Sequence, residues 1–262
     1  MTPIKVVLSL VMALALAGCV TTTSSPFAEK KDIDKAVDTY VQIGYRHFEN
    51  DNLFQAKQAL SRAMELDRNN PGAHLGLARV FDVEEDEELA EHHFRKAIRH
   101  GGETEARFQY GVFLYNHQRY DDAYDEFGEV TEDNFYARRA LSFEFLALSA
   151  RRLDRTDAAI KAYERAIVLD RLLTNSYVGL AELREQKGDS AEAFDAYRGF
   201  ISLVRAGRAN HSAHTLWLGI RIAHQVGNEN LLSSLELQLR NRFPNTEEYR
   251  LYREWKQKEG AA

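Results

Sequence analysis

Residues 40–66 read YVQIGYRHFENDNLFQAKQALSRAMEL, and this stretch decides the fold because it encodes two short amphipathic helices in succession. A polar break at residues 49–52, Glu-Asn-Asp-Asn, separates them. Asn and Asp favour turns and helix caps over helix interiors, so the break predicts a turn. The residues that share a helix face are Tyr40, Ile43, Gly44 and His47 in the first half and Ala56, Leu60 and Ala63 in the second. The small residues among them predict that two helix backbones cross closely in a hairpin.

The same hairpin recurs along the chain at an interval of about 34 residues. Gly44, Ala56 and Ala63 form a reference triplet, and each shift along the chain reaches small residues again. The equivalent triplets are Ala78, Ala90 and Ala97; Gly111, Ala123 and Val130; and Ala147, Ala159 and Ala166. A fifth unit keeps Ala181 and Ala193 but has Phe200 in the third position, and a looser sixth unit follows an insertion near residues 205–209. This two-helix repeat is the tetratricopeptide pattern.

The repeat predicts an all-α fold: a right-handed superhelix of six tetratricopeptide hairpins over residues 34–245. Residues 246–262 are expected to form a capping helix and a tail. Tyr249, Tyr252 and Trp255 of this segment are expected to cover the exposed core of the last hairpin.

The first 18 residues have the features of a lipoprotein signal peptide: a cation at Lys5 and an apolar stretch at 6–16 that is too short to span a bilayer comfortably. The stretch ends in Leu-Ala-Gly-Cys at 16–19, which resembles the bacterial lipobox, and Cys19 is the only cysteine of the chain. The resemblance implies cleavage before Cys19 and attachment of acyl chains to it. An ordinary signal peptide with a chance cysteine is the alternative.

The residues that follow the lipobox predict where the protein is held. Residues 19–33 are expected to be the lipidated cysteine and a flexible tether, because the segment is rich in small and polar residues. An Asp after the lipidated cysteine retains enterobacterial lipoproteins in the inner membrane. Val20 stands there instead, and by resemblance this implies a lipid-anchored protein on the periplasmic face of the outer membrane.

Composition and motifs argue against chemistry. The net charge is −6, with 34 basic and 40 acidic residues interspersed, so no basic stripe for nucleic acid is indicated. His92 and His93 point to different helix faces, and His211 and His214 lack a third ligand at metal-binding spacing, so these histidines are expected to be solvated. The acidic run at 84–88 is expected to be a solvated turn and helix N-cap, with calcium or a basic partner as the alternative. The chain is therefore predicted to have no enzymatic activity, cofactor, metal or small-molecule substrate.

The first helix of each hairpin lines the inner, concave face of such a superhelix. Its positions outside the helix crossings carry more large apolar side chains than a solvated surface needs, with arginines among them, and this predicts a groove that binds a protein partner. Burial by neighbouring helices is the alternative for any one residue. The predicted groove residues are Val41, Tyr45, Phe48, Leu75, Arg79, Phe108, Val112, Tyr115, Leu148, Arg152, Trp217 and Arg221.

A lipobox followed by six tetratricopeptide units resembles the PilF/PilW family of type IV pilus biogenesis lipoproteins. The resemblance is carried by IGYRHFENDNLFQAKQALSRAMELD at 43–67, QYGVFLYNHQRYDDAYDEF at 109–127, LWLGIRIAHQVGN at 216–228 and LQLRNRFPNTEEY at 237–249. The last two are the most specific, because generic repeats do not share them. At 115–118 the chain has Tyr-Asn-His-Gln where relatives tend to carry a Cys and a Gly.

The resemblance implies an outer-membrane pilotin, a lipoprotein that helps to localise and multimerise the secretin through which the pilus exits. Two other tetratricopeptide lipoproteins are alternatives: an adaptor for peptidoglycan hydrolases and a component of outer-membrane protein assembly. Repeat physics does not separate these three scaffolds, and only the C-terminal segment favours the pilus. An enzyme acting on peptidoglycan is the alternative from another class, but the sequence offers no nucleophile, acid-base pair or metal set for it.

Overall fold

The computed structural model describes residues 26–259, and every regular element in this part of the chain is an α-helix. The helices are α1 (Pro26–Glu49), α2 (Leu53–Leu66), α3 (Pro71–Val83), α4 (Glu87–Arg99), α5 (Glu103–Asn116), α6 (Tyr120–Glu132), α7 (Arg139–Arg152), α8 (Thr156–Leu169), α9 (Thr174–Lys187), α10 (Ser190–Arg205), α11 (Ala213–Gln225), α12 (Glu229–Arg242) and α13 (Glu247–Glu259). Consecutive pairs from α1–α2 to α11–α12 form six hairpins. The predicted all-α superhelix of six hairpins with a C-terminal helix is confirmed.

Each hairpin turns through one residue with a left-handed backbone. These residues recur with the repeat: Asp51, Glu85, Gln118, Asp154, Gly188 and Gly227. In each turn the backbone N–H that follows this residue reaches back to a carbonyl near the end of the first helix, as from Asn52 to His47 at 2.9 Å and from Asp86 to Phe81 at 2.9 Å. This bond is the 6→1 bond of a Schellman motif, which satisfies the last carbonyls of a helix. The polar break predicted from the sequence is therefore a regular helix stop.

The acidic run at 84–88 lies in one of these turns. The Asp86 carboxylate caps α4 by accepting the N–H of Leu89 at 3.1 Å, and Glu84 pairs with Lys57 at 2.7 Å. Glu85 supplies the left-handed residue of the turn. The prediction of a turn with an N-cap is confirmed at Asp86, while Glu84 has a specific cationic partner.

The hairpins close where the small residues of the repeat meet large side chains. Ala56, Ala90 and Ala123 are fully buried at three equivalent crossings. A Cβ added at Gly44 would lie 2.5 Å from Cγ of Leu60, and one added at Gly111 would lie 2.8 Å from Cε1 of Phe127. A Cβ essentially never approaches another carbon this closely, so only glycine allows the two helices to approach to this distance.

The first helix differs from its predicted limits. Helix α1 begins at Pro26, so the predicted flexible tether of residues 19–33 is wrong from Pro26 onward. Proline suits the first position of a helix, and the Ala, Glu and Lys residues that follow are good helix formers. The predicted signal peptide and Cys19 lie outside the described residues. Tyr40, which was expected on the packed face, is 37% exposed because no described hairpin precedes the first.

Helix α13 closes the other end of the superhelix. The Trp255 ring lies 5.8 Å from the ring of Trp217 and 4.9 Å from that of His224, both on α11. Tyr252 lies 6.3 Å from Trp217, and Tyr249 packs against the same core. The prediction that the aromatic residues of this segment cover the last hairpin is confirmed. None of the helices within residues 26–259 is long and apolar enough to cross a membrane.

The close helix crossing predicts opposite effects for two glycines. Gly111→Ala should destabilise the fold by about 1–3 kcal/mol, because the new methyl group collides with Phe127, whose ring is itself wedged against Phe108 and Phe145. Gly128→Ala on α6 should instead stabilise the fold by about 0.5–1 kcal/mol, because nothing lies within 4 Å of its added Cβ and alanine favours the helix. Urea unfolding of both variants measures the difference. Equal effects would contradict the tight crossing.

Candidate partner-binding groove

Three of the predicted groove residues belong to the core instead. Leu75 is 8% exposed, Phe108 3% and Trp217 9%. Leu75 packs in the core of the second and third hairpins. The ring of Phe108 is enclosed by Phe127, Tyr136 and Phe145 and covered by the Arg138 guanidinium at 4.3 Å, and Trp217 is covered by α13. The prediction is wrong for these three, since the sequence did not show which neighbour would cover them.

Three smaller apolar residues form the floor between the exposed positions. Val41, Val112 and Leu148 are half-buried and pack against the three core clusters beneath them. Val41 also lies beside the first turn of α3, since a Cβ added at Gly72 would stand 3.2 Å from Cγ1 of Val41. These side chains offer partly accessible apolar surface without projecting from it.

An aromatic and cationic cluster joins the first two hairpins. The Arg79 guanidinium lies 4.4 Å from the ring centre of Phe48 and 5.7 Å from that of Tyr45. The Tyr45 hydroxyl donates to the Gly72 carbonyl at 3.2 Å. Burial raises the pKa of Tyr45 to about 12, so the hydroxyl remains a neutral donor. We call Tyr45, Phe48 and Arg79 the N-terminal aromatic cluster; all three are half-buried, so each keeps part of its surface for a partner.

A second cluster of the same composition joins the third and fourth hairpins. Arg152 Nε donates to the Tyr115 hydroxyl at 3.4 Å, and its guanidinium lies 5.7 Å from the ring centre of Tyr120. The rings of Tyr115 and Tyr120 meet edge to face at 5.2 Å, and Phe145 lies 6.3 Å from Tyr115. Tyr120 was not predicted, because it begins the second helix of its hairpin, whereas the inner face was expected to come from first helices alone.

The C-terminal half of the groove is polar. Glu182 is buried, and its carboxylate accepts hydrogen bonds from Arg151 at 2.6 Å and from His214. Glu185 pairs with Arg221 at 2.9 Å. The Arg221 guanidinium in turn lies over the face of the Trp217 ring, 5.2 Å from its centre. Each pair joins the first helices of neighbouring hairpins, so we call these contacts the ionic ladder.

A further buried carboxylate extends this ladder. Glu144 accepts a hydrogen bond from the Ser176 hydroxyl at 2.6 Å, which joins α7 to α9. Neither Glu144 nor Glu182 was predicted as a site residue. The repeat register contained a signal for Glu182, because it follows a small crossing residue as Tyr45 and Arg79 do. The residue at this position changes along the superhelix from Tyr45 and Arg79 through Val112 and Leu148 to Glu182.

The ionic ladder shifts the proton affinities of its members. Burial alone would raise the pKa of Glu182, but the hydrogen bond from His214 and the charge of Arg151 outweigh it and lower the pKa. The hydrogen bond to Glu182 raises the pKa of His214, against the opposing effect of burial. Arg151 and the protonated form of His214 therefore both favour the ionised carboxylate of Glu182.

The histidines expected to be solvated have specific surroundings. His92 is exposed, but His93 is half-buried, and its Nδ1 lies 2.9 Å from Nδ1 of buried His74. Burial, followed by the charge of His74, lowers the pKa of His93 to about 4. His211 is buried against Phe200, and His214 belongs to the ionic ladder. The prediction of solvated histidines is therefore wrong for His93 and His211, whereas His214 is exposed and also paired with Glu182. In residues 26–259 no group of three His, Cys, Asp or Glu side chains is placed to hold a metal ion.

Comparison with known proteins agrees with this architecture. The family model described as "Tetratricopeptide repeat" matches residues 146–214. Six stacked hairpins with a half-apolar inner face, together with this match, define a tetratricopeptide-repeat protein of the kind that binds other proteins.

More specific relatives identify the family. The type IV pilus assembly protein PilF of Pseudomonas aeruginosa is 31% identical over 249 residues, which cover 94% of this chain and 96% of the relative. The chain belongs to the PilF family of type IV pilus biogenesis proteins, and it is a tetratricopeptide scaffold of that process. The solved structure of P. aeruginosa PilF has a TM-score of 0.73 and 30% identity, covering 85% of this chain and 98% of that one. The structure of PilW, a type IV pilus biogenesis factor, shares the fold with a TM-score of 0.64 and 21% identity, over 82% and 97% of the two chains.

The ionic ladder predicts a pH-dependent contribution to stability. Because the pKa of His214 is raised in the fold, its bond to Glu182 stabilises the protein fully below the ordinary histidine pKa of about 6.5, and this contribution is lost as the pH rises through the raised value. His214→Gln should therefore cost on the order of 1 kcal/mol at pH 5.5, a figure limited by solvent screening of the half-exposed ring, and less at pH 8.5. Urea midpoints at both pH values measure this. His47→Gln on α1 is the control, and an equal loss for His214→Gln at both pH values would contradict the charged pair.

Proposed function

We propose that this protein is an outer-membrane pilotin, which escorts the type IV pilus secretin and promotes its multimerisation. Membership of the PilF family supports the pathway. The Leu-Ala-Gly-Cys motif at 16–19 with Val20 supports a lipid anchor in the outer membrane. The observation that carries the role of a partner-binding scaffold is the N-terminal aromatic cluster, a stacked and partly exposed group on the inner face of the superhelix.

The two halves of the groove suit different tasks. Aromatic side chains with an adjacent arginine form the kind of anchor that dominates protein interfaces, because they bury much area at little entropic cost. In the ionic ladder the charged groups already satisfy one another across neighbouring helices. We therefore place the binding energy at the two aromatic clusters and assign the ladder the task of holding the helices at fixed spacing.

Helix α13 supports an amphipathic helix as the bound form. Its aromatic residues at positions 249, 252 and 255 are spaced three apart, and they pack on the inner-face residue Trp217. The inner face of the superhelix thus accepts a helix that presents aromatic side chains along one stripe. A secretin segment of the same pattern would use the same geometry at the aromatic clusters further along the face.

The mechanism requires no covalent chemistry. Acyl chains on Cys19 would confine the scaffold to one membrane surface, and the groove would hold a secretin subunit beside it. Confinement raises the effective concentration of subunits for ring assembly, as any second tether does. The scaffold therefore acts by escort and concentration.

The groove predicts a defined loss of affinity. Phe48→Ala or Tyr115→Ala should weaken binding of solubilised secretin by about 2 kcal/mol, which corresponds to roughly thirtyfold in Kd, because each removes an aromatic anchor. Leu237→Ala is the matched control, since this exposed leucine lies on α12, the second helix of its hairpin. Calorimetric titration gives the affinities, and thermal melting gives the stability. Loss of stability in proportion to binding would assign the aromatic residues to the core.

The pilotin role predicts a cellular phenotype. Deletion of the gene should abolish twitching motility and surface pili while pilin is still made, and detergent-resistant secretin multimers should fall while the monomer persists. Cys19→Ala should release the protein from the membrane fraction and remove labelled palmitate. Immunoblots of unboiled outer-membrane fractions measure the multimers. Normal multimer levels in the deletion strain would refute the pilotin role.

A further inference from the structure

Helix α1 is longer than the repeat requires. It has 24 residues, whereas the first helices of the later hairpins have 13 or 14. One repeat of 34 residues before Pro71, where α3 begins, is Val37. Val37 is also the first buried residue within 30–49, and residues 30–35 are all exposed. The part of α1 before Val37 therefore extends beyond its own hairpin.

One face of α1 carries a stripe of uncharged residues, which we call the α1 seam. Its members follow one another at spacings of three, four and three, and they are Ile33, Ala36, Tyr40 and Ile43. This spacing is that of the a and d positions of a heptad, through which one helix packs on another. Ile33 is 41% exposed and Tyr40 37%, while Ala36 and Ile43 are half-buried. The seam is thus available for a further helix.

The second hairpin shows what covers this face elsewhere in the superhelix. His74 and Leu77 lie one repeat after Tyr40 and Ile43, and both are buried. Helix α2 of the preceding hairpin packs there, with Leu60 fitted against α3. The corresponding face of the first hairpin therefore has the shape to receive a helix.

A preceding tetratricopeptide unit does not fit this face. Thr39 and Arg46 are exposed beside the seam. Their equivalents in later hairpins are buried and uncharged, as Ala73 and Val80 are in the second hairpin. A unit stacked in the usual way would bury the Arg46 cation, which is costly without a partner. The helix that covers the seam must therefore leave Arg46 at the margin and supply an anion to it.

We propose that the α1 seam pairs two copies of this chain, with α1 packed antiparallel on α1 about a two-fold axis near residue 38. In this arrangement Ile33 packs on Ile43 of the second copy, and Ala36 packs on Tyr40 of the second copy, so each ring faces a small residue. The two-fold axis generates both contacts twice. Residue 38 lies at the middle of α1, which spans 26–49, so the two helices overlap along their full length. The extension supplies Ile33 and Ala36, one side of each contact.

The charged margin of the seam is complementary under the same two-fold axis. Asp32, Thr39 and Arg46 are spaced seven apart, so they flank the stripe on one side. Antiparallel pairing brings Asp32 of each copy beside Arg46 of the other and sets the two Thr39 residues against each other. A parallel pair would instead place Asp32 against Asp32 and Arg46 against Arg46, which is repulsive. The charges therefore favour an antiparallel second copy as the occupant.

The pairing leaves the inner face open. Tyr45 and Phe48 lie on the side of α1 that faces α3, where they stack with Arg79. A dimer would therefore present two N-terminal aromatic clusters. If these clusters bind secretin as proposed above, two subunits would be held side by side for ring assembly. This consequence rests on the proposed function, whereas the pairing itself does not.

Sedimentation equilibrium of the mature chain with Cys19→Ser tests the pairing in the absence of acyl chains. We expect a dimer, and Tyr40→Glu should raise its Kd by about tenfold or more, because the new carboxylate would be buried in the seam. Leu172→Glu is the matched control, since this exposed leucine lies in the turn between α8 and α9 and should leave the Kd unchanged. Thermal melting checks that both variants fold.

Charge reversal tests the orientation of the two helices. Asp32→Arg and Arg46→Asp should each raise the Kd several-fold, because each sets like charges together at both ends of the seam. The double variant Asp32→Arg, Arg46→Asp should restore the dimer, since it exchanges the two charges. Both residues are exposed, so the hairpin itself tolerates these changes.

A disulfide tests the position of the two-fold axis. Cys19 is the only cysteine of the chain, so in the Cys19→Ser background Thr39→Cys introduces the only thiol. We expect Thr39→Cys to cross-link two copies under mild oxidation. Asn116→Cys, at an exposed residue that ends α5, should not cross-link.

Two results would overturn the pairing. One is a chain that remains monomeric at every concentration reached in the centrifuge, and the other is a dimer whose Kd is unaffected by Tyr40→Glu and by charge reversal. A monomer in which added secretin protects the Thr39→Cys thiol from alkylation would also overturn it and would assign the seam to that partner. Secretin affinity measured with Phe48→Ala tests the proposed function separately, so failure of one proposal is distinguishable from failure of the other.

Discussion

The close approach of two helices at a small residue is the constraint on which the rest of the structure depends. Gly44 fits against Leu60 and Gly111 against Phe127, with no room for a Cβ at either glycine. The large side chain in each pair is fully buried, so one contact both closes the hairpin and builds its core. Leu60 also packs against Gly76 on α3, where an added Cβ would lie 2.7 Å from Cδ2 of Leu60, so the same side chain helps to set the distance to the next first helix. The inner face therefore inherits a regular spacing from the core.

That spacing determines what the inner face can do. The position after the crossing residue points along this face in every hairpin, and it carries Tyr45 and Arg79 in the first two but Glu182 in the fifth. In the N-terminal half these side chains stack and keep part of their surface exposed. In the C-terminal half they bond across to the neighbouring helix. One register position thus carries stacked, partly exposed side chains at one end and paired ions at the other.

The fold was predicted well from the sequence, because the same pattern of small and large residues occurs in successive units. Small residues at a constant interval specify one way of packing the helices. A departure in one unit, such as Phe200 in place of a small residue, leaves the period of about 34 residues recognisable in the other units. The groove was predicted less well. Leu75, Phe108 and Trp217 are covered by side chains from other hairpins or from α13, and the register does not encode which neighbour leans over a given residue. The register places Glu182 beside a helix crossing, but the burial of Glu182 and Glu144 depends on their partners Arg151, His214 and Ser176, which the repeat does not specify.

The two ends of the superhelix differ in a way that bears on how a scaffold of this kind works. The C-terminal end is closed by α13, whose Trp255 ring covers Trp217, so no further unit can stack there. At the N-terminal end, Tyr40 remains exposed where the equivalent residue of the second hairpin, His74, is only 4% exposed under the first. The packing face of the first hairpin is therefore left partly open, whereas that of the last hairpin is covered. Under the proposed acylation of Cys19, a partner held on the first hairpin would lie close to the membrane, and a scaffold that acts by the proposed escort and concentration needs its binding surface at that end.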